Sequence, residues 1–145
     1  YGTEVLMNGT KRITDGNVRK DFPGGFPGDK QNAFTAEGRT HAQNDMFNWL
    51  SALLHWRNGN ETIIRGYQTQ FIPWKGVYVV TRRWHRNTVM TIINGTTQPA
   101  TLEVNRYAEL FEGDNRLASD VITGQQYDLS SDLPLAPRAT LVLEF

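Results

Sequence analysis

The stretch THAQNDMFNWLSALLHWR, residues 40–57, divides the chain and predicts one amphipathic α-helix. Thr40 and Gln43 have the spacing of a capping box, in which each side chain bonds a backbone N–H of the first turn that has no partner inside the helix. Apolar residues then recur at spacings of three and four and form one stripe: Ala42, Met46, Trp49, Leu50, Leu53 and Leu54. Residues 58–60, Asn-Gly-Asn, end the pattern. We expect the stripe to be buried against a partner surface.

The composition excludes several classes of function. With 145 residues the chain is long enough for one ordinary domain with its own core. Its 15 basic and 15 acidic residues cancel, which argues against nucleic-acid or membrane partners. The absence of cysteine excludes disulfides and thiolate metal sites. The sequence has no phosphate loop and no dinucleotide fingerprint, and no cofactor is expected. No signal-peptide pattern is present, and the first residue is Tyr1 rather than Met, so we expect a piece of a longer protein.

Residues 10–38 show no sustained period of either 2 or 3.6. Two Gly-containing segments, residues 15–17 and 23–29, each predict a turn. A loop of this length inside a compact domain is uncommon and is usually functional or disordered. Aromatic rings in a loop need a partner surface or a ligand, and three are spread along this one: Phe22, Phe26 and Phe34. We therefore favour an ordered functional loop over a plain linker.

After the helix, the period changes to that of β-strands. Short segments that alternate or are rich in β-branched residues predict strands at residues 67–72, 77–84, 88–93, 101–104, 120–123, 126–129 and 139–145. Asn94-Gly95 predicts a hairpin. Strands of this number and spacing predict an antiparallel β-sandwich. We place the domain boundary at the change from helix to sheet, giving one region over residues 1–58 and an all-β region over 59–145.

Few patterns indicate chemistry. The three histidines share no metal-ligand spacing, so no metal site is expected: His41, His55 and His85. Three Asn-x-Thr sequons are interpreted as turn residues, and no glycosylation role is assigned to them: Asn8, Asn60 and Asn94. Trp84 lies at a predicted hairpin tip among arginines, where it would stack on a sugar ring or a base if exposed. We favour the simpler interpretation, in which it packs over a strand end.

Asp15, Arg19 and Asp21 are the candidate substrate-binding residues. Two carboxylates and a guanidinium within seven residues of a turn-rich loop can converge on a neutral polar ligand. The acids would accept hydrogen bonds from hydroxyl groups, and the planar Arg19 would donate two at once. A solvated loop gives the same pattern, so the residues alone do not separate the two.

The order of these parts resembles the C-terminal end of the α-amylase superfamily of glycoside hydrolases, closest to its neopullulanase and cyclomaltodextrinase-like branch. Residues 1–4, Tyr-Gly-Thr-Glu, resemble the motif that ends the eighth strand of the catalytic (β/α)₈ barrel in that family. Asp15 and Arg19 keep the Asp-x-x-x-Arg spacing of its substrate loop, and residues 19–25, RKDFPGG, resemble the loop of the branch. The resemblance implies that residues 40–57 are the last barrel helix and that the strands are the Greek-key domain C.

In that family, retaining cleavage of α-1,4 and sometimes α-1,6 glucosidic bonds uses an Asp nucleophile and a Glu acid/base on earlier barrel strands. The resemblance implies that this chain has no catalytic residue and is inactive alone. It implies that Asp15 and Arg19 hold glucose hydroxyls, that Glu4 fixes the barrel end, and that Asp21 has either role. The spacer 16–18, Gly-Asn-Val, departs from the Pro-containing spacer common in the family, which leaves the geometry of the glucose position open.

Two other classes of function stay open. One is a non-catalytic carbohydrate-binding sandwich with Trp84, Trp74 or Tyr78 as the stacking platform, and the other is a structural or interaction module. The expected partners are α-glucan oligosaccharides, through the parent enzyme. The helix stripe is expected to pack either on the sandwich or on a second copy of the chain. The second arrangement would give a homo-oligomer. The sequence does not indicate the cellular compartment, although the resemblance favours a periplasmic or secreted parent enzyme.

Overall fold

The computed structural model describes residues 1–111 and 116–145. They form two compact units, Tyr1–Leu54 and His55–Phe145. The first unit consists of turns, two short 3₁₀ helices, Thr3–Val5 and Asp15–Val18, and most of helix α1, His41–Gly59. Residues 1–4, which resemble the end of a barrel strand, enter the first 3₁₀ helix instead. A strand needs a neighbouring strand for its backbone hydrogen bonds, and none of the described residues before Tyr67 is in a strand.

Helix α1 begins at the predicted capping box. The backbone N–H of Thr40 donates to Gln43 Oε1 at 2.9 Å, and the backbone N–H of Gln43 donates to Thr40 Oγ1 at 3.3 Å. These two reciprocal bonds satisfy donors that the first turn of a helix leaves without a partner. The predicted helix, its cap and its end near Gly59 are therefore confirmed.

The apolar stripe of α1 is only half-buried. Met46, Leu50 and Leu53 are partly covered, whereas Trp49 is 37% and Leu54 is 51% exposed. No residue of this helix is fully buried, so the burial expected for the stripe is not seen in the described chain. The partly covered face also includes Phe47, because the guanidinium carbon of Arg39 lies 3.9 Å from the centroid of its ring. A count of apolar spacings does not include such a cation–π contact.

The second unit begins with a short helix and continues as strands. Helix α2, Glu61–Arg65, is capped by Asn60, whose Oδ1 accepts from the backbone N–H of Ile63 at 3.0 Å. The strands are β1 Tyr67–Gln70, β2 Val77–Trp84, β3 Asn87–Asn94, β4 Ala100–Leu102, β5 Leu117–Asp120, β6 Gln126–Asp128, β7 Leu133–Leu135 and β8 Thr140–Glu144. A 3₁₀ segment, Val104–Leu110, follows β4.

All strand pairs among the described residues are antiparallel. They form a six-stranded sheet of order β1-β2-β3-β8-β5-β6 and a two-stranded sheet β4-β7. Alternate residues of β2 are buried from Val77 to Thr81, as the sequence pattern predicts. Val77 and Val79 join a core shared by both sheets and the 3₁₀ segment, which includes Met90, Ile92, Leu102, Tyr107, Leu135 and Leu143. Helix α2 packs against β2 and β3. The predicted fold class, a long helix followed by an antiparallel β-sandwich, is confirmed.

Four local predictions were wrong or incomplete. The strand predicted at residues 120–123 is a turn instead, because β5 ends at Asp120, whose Oδ1 accepts from the backbone N–H groups of Ile122 and Thr123. Asn94-Gly95 is not a hairpin, because β3 has β2 and β8 as its neighbours and the chain passes from Asn94 to the other sheet. The buried Asn94 side chain instead donates to the carbonyl oxygens of Gln98 and Ala136, at 2.8 and 2.9 Å. Strand β7 was not predicted, because Pro134 at its centre cannot donate to a ladder and argues against a strand. Helix α2 was also not predicted.

Candidate functional site

The candidate substrate residues of the first unit lie around one tight turn. The 3₁₀ helix Asp15–Val18 is capped by Thr14, whose Oγ1 accepts from the backbone N–H of Asn17 at 3.2 Å. Arg19 ends it and donates its backbone N–H to Gly16 O at 3.0 Å. Asp15 and Arg19 therefore stand at the two ends of a single turn of helix, and both are exposed to solvent.

Two open grooves lie next to this turn. The first has a volume of about 330 Å³ and the second about 280 Å³, close to the lower end of the range for small-molecule sites. The first groove is lined by Tyr1, Met7, Asn8, Gly9, Asn17, Val18 and Lys20. The second groove is lined by Val5, Leu6, Met7, Asn8, Lys20, Asp21, Pro23, Gln31 and Gln43.

The structure brings the three candidate residues to this region in different ways. Asp21 lines the second groove directly. Asp15 and Arg19 flank residues of the first groove without lining it themselves. Within residues 1–111 and 116–145 no ion pair joins the three side chains. Their hydrogen-bonding groups are therefore not consumed by one another.

Sequence reasoning did not select Lys20, which lines both grooves. Its Nζ donates to the carbonyl oxygen of Asn8 at 3.2 Å, and its own carbonyl oxygen accepts from the hydroxyl of Tyr1 at 3.2 Å. Asn17 is a second lining residue that was missed, and its Oδ1 accepts from the backbone N–H of Thr10 at 2.7 Å. Both residues occur inside the motif that carries the family resemblance, and that position was the available signal.

The Gly-rich segment after Asp21 is an ordered turn. Asp29 Oδ2 accepts from the backbone N–H groups of Gly24 at 2.8 Å and Phe26 at 3.1 Å. Gly24 has a φ of +99°, and a Cβ there would lie 2.5 Å from Asn32 Oδ1, so only glycine fits. The segment therefore has the defined conformation expected of an ordered loop, and it leaves Phe26 59% exposed.

Helix α1 is connected to this loop region through Gln43. Its Oε1 accepts from Gln31 Nε2 at 2.7 Å in addition to the capping bond, and its Nε2 donates to Val5 O at 2.9 Å. Gln31 Nε2 also donates to Gly38 O at 2.9 Å. Two separate loop segments are thus bonded directly to the first turn of the helix, and Gly38 is joined to it through Gln31. These bonds fix one side of the second groove.

The second unit contains the three aromatic residues proposed as stacking platforms. Trp84 is half-buried and lies edge-on to the His85 ring, with 4.6 Å between the ring centroids. Tyr78 is half-buried within β2, whereas Trp74 is 42% exposed on the connection between β1 and β2. The packed position of Trp84 agrees with the simpler interpretation of that residue.

Trp74 belongs to a small polar cluster. Its indole Nε1 donates to Glu103 Oε2 at 3.2 Å, and Lys75 Nζ donates to Glu103 Oε1 at 2.6 Å. The hydrogen bonds from Lys75 and Trp74 lower the pKa of the Glu103 carboxyl below its ordinary value of 4.5, because they stabilise its charged form. The guanidinium carbon of Arg106 lies 4.5 Å from the centroid of the Trp74 ring.

In the part of the chain that the structure describes, no group of three or more His, Cys, Asp and Glu side chains is placed to hold a metal ion. Across the same residues no helix has the length and hydropathy needed to cross a membrane.

Comparison with known families gives a match over most of the second unit. The family described as the Cyclo-malto-dextrinase C-terminal domain matches residues 68–144, which is more than half of the chain.

Solved structures give similar folds. The α-amylase from Anoxybacillus has 17% identity and a TM-score of 0.64, and the match covers 99% of this chain and 27% of that one. The α-amylase from Geobacillus thermoleovorans, complexed with acarbose, has 20% identity and a TM-score of 0.63, over 99% and 28% of the two chains. AmyP, in complex with maltose, has 20% identity and a TM-score of 0.62, over 73% and 21%. The chain thus spans between a fifth and three tenths of the length of these structures.

Proposed function

The chain belongs to the cyclomaltodextrinase C-terminal domain family, and we propose that it is the C-terminal part of a retaining α-glucan hydrolase of the α-amylase and neopullulanase type. The parent enzyme would cleave α-1,4 and sometimes α-1,6 glucosidic bonds. The family match over residues 68–144 is the observation that carries the proposal. The proposed boundary between the end of the barrel and the all-β domain lies between residues 58 and 59.

We assign no catalytic residue to this chain. Retaining hydrolysis needs a carboxylate nucleophile and a carboxylic acid about 5 Å apart, on either side of the scissile bond. The family resemblance assigns that pair to barrel strands that precede the segment seen here. We therefore expect the 145-residue chain to hydrolyse no α-glucan by itself, and its contribution to catalysis is to hold substrate and to support the barrel.

Asp15, Arg19 and Asp21 are the proposed substrate contacts. Neutral sugars offer hydroxyl groups that both donate and accept, so a carboxylate and a guanidinium on one exposed turn suit two neighbouring hydroxyls. The tight 3₁₀ turn supports this role, because it keeps Asp15 and Arg19 at a fixed separation without pairing them. Asp21, which lines the second groove, would accept from a hydroxyl of an adjoining glucose unit.

Titration of the ¹⁵N-labelled chain with maltoheptaose tests these contacts, with amide shifts of residues 8–21 as the readout. We expect binding in the millimolar range, about 4 kcal/mol at the standard state, because a single turn contacts few hydroxyls. Asp15→Ala and Arg19→Ala should each weaken it at least fivefold. Arg12→Ala is the matched control, since Arg12 is an exposed arginine of the same loop, and it should leave the affinity unchanged.

The outcomes separate the parts of the proposal. Release of reducing ends from maltoheptaose by the chain alone would refute the assignment of catalysis to residues outside it. Equal affinity in the Asp15, Arg19 and Arg12 variants would refute the substrate contacts. Neither result depends on the other, because one measures bond cleavage and the other measures binding.

Helix α1 is the proposed homo-oligomer contact. Trp49 and Leu54 are exposed on it, and a twofold axis would place the same apolar stripe of two copies against each other. Light scattering coupled to size-exclusion chromatography should give a dimer, and Leu54→Glu should give a monomer. A strict monomer with an ordered first unit would contradict the proposed contact.

A further inference from the structure

The β1–β2 connection holds Trp74 on a rigid turn. The backbone N–H of Trp74 donates to Val77 O at 2.9 Å, and the N–H of Val77 donates to Trp74 O at 2.8 Å, so the turn has only two residues between its bonded ends. Those two, Lys75 and Gly76, have φ values of +47° and +81°, the sign that a type I′ hairpin turn requires at both positions. Gly76 O also accepts from the backbone N–H of Gly95 at 2.9 Å.

The indole ring itself is held by two further contacts. Glu103 accepts its Nε1–H, and the same carboxylate is fixed from the other oxygen by Lys75. Arg106 lies over the ring at 4.5 Å. A ring that is bonded at its edge and covered by a cation keeps one orientation, so a ligand that binds it loses little side-chain entropy. The residue as a whole is nevertheless 42% exposed, so part of the surface of Trp74 stays open to solvent.

We propose that the exposed surface of Trp74 is a second carbohydrate-binding site, a platform on which one pyranose ring of an α-glucan stacks. An indole is a large, rigid, apolar surface with one polar edge, which suits the C–H face of a sugar ring. Around it, Lys75 and Arg106 carry more N–H donors than Glu103 has oxygens to accept, so donors remain for sugar hydroxyls. The choice of an α-glucan as the sugar rests on the proposed function.

The structure favours Trp74 over the other two aromatic candidates. Trp84 lies against His85 and Tyr78 is half-buried in a strand of the sheet. The cluster also favours a neutral ligand. Glu103 is already paired with Lys75, and the remaining cation, Arg106, lies over the indole. Among the described residues, the cluster of Lys75, Glu103 and Arg106 carries a net charge of about one, which gives a polyanion little electrostatic affinity.

The test follows the indole Nε1–H resonance of Trp74 while the full ¹⁵N-labelled chain is titrated with maltoheptaose, and then with cellohexaose. The Trp74 resonance should move with maltoheptaose, and that of Trp84 should stay in place. Trp74→Ala should weaken binding at this site at least tenfold, as read from the amides of Lys75 and Gly76, whereas the matched Trp84→Ala should not. The wild-type readout holds even if a variant folds poorly.

The outcomes separate this site from the loop site and test the class of sugar that it binds. A Trp74 resonance that stays fixed while residues 8–21 respond would overturn the platform and leave the proposed function intact. Movement of Trp74 that persists with unchanged affinity in Arg19→Ala would support a separate second site. Equal affinity for cellohexaose and maltoheptaose would overturn the assignment to α-glucans.

Discussion

Replacing Gln43 with alanine should loosen the candidate substrate loop without unfolding the β-sandwich. The side chain makes three hydrogen bonds: it accepts from the Thr40 backbone N–H and from Gln31 Nε2, and it donates to Val5 O. Each such bond contributes about 1 kcal/mol net. Because Gln43 is half-exposed, water replaces part of what is lost, and we expect a local cost of about 1–3 kcal/mol.

Native-state hydrogen exchange measures this local cost. A loss of about 1–3 kcal/mol corresponds to exchange that is roughly 5–150-fold faster. The informative amide is that of Met7, which donates to Gly2 O at 2.9 Å in the segment that Gln43 holds. Amides of the β2 and β3 ladder serve as the internal reference and should not change.

Gln43→Glu separates the two functions of the side chain. A carboxylate still accepts from Thr40 and completes a capping box, but it cannot donate to Val5 O and places a negative charge beside that carbonyl. The start of the helix should keep its protection in this variant, while Met7 should exchange as fast as in Gln43→Ala. Wild-type exchange at Met7 in both variants would refute the view that Gln43 connects the loop to the helix.

Three further changes have defined outcomes. Asn94→Ala should lower the free energy of unfolding in urea by about 2–4 kcal/mol, since it removes several buried hydrogen bonds, whereas the exposed Asn87→Ala should change it by less than about 0.5 kcal/mol. Gly28→Ala should lower the local stability of the loop by about 1–2 kcal/mol from its φ of +93° alone. Gly24→Ala should lower it by more, because the added Cβ also meets Asn32. Amide exchange in the loop measures both changes. The stabilising contribution of Glu103, whose pKa is lowered, is present above pH 4.5 and is lost as the pH falls through its folded-state pKa. The indole Nε1–H resonance of Trp74, which donates to Glu103, should therefore be constant from pH 7 to 5 and move below pH 4.5.

The sequence was most informative where the structure is local. The capping box at Thr40 and Gln43 involves residues three apart, and both of its bonds are present. Strand β2 has the predicted bounds, because alternation between a buried and a less buried face extends over its first five residues. A pattern of period 2 or 3.6 reports which face of one element is covered, and this is enough to give the fold class.

Prediction from the sequence failed where a side chain bonds residues that are far away along the chain. Asn94 read as a hairpin turn because Asn-Gly favours positive φ, yet its side chain bonds Ala136, which is 42 positions away. Helix α2 has five residues, too few for a helical period to show. Its cap residue Asn60 is bonded through Nδ2 to Glu144 Oε1 at 2.9 Å. Such contacts depend on tertiary structure that no local pattern encodes.

The same distinction governs the candidate sites. Asp15 and Arg19 could be nominated from four-residue spacing because one turn of helix holds them, whereas the grooves beside them depend on Gln43 reaching Val5, 38 positions earlier. For the aromatic residues the sequence left Trp84, Trp74 and Tyr78 open as platforms, and it favoured a packed position for Trp84. The feature that makes Trp74 the better platform is its bond to Glu103, 29 positions away, together with the cation of Arg106. Exposure and orientation decide whether an aromatic ring can bind a sugar, and both are set here by partners that lie far away in sequence.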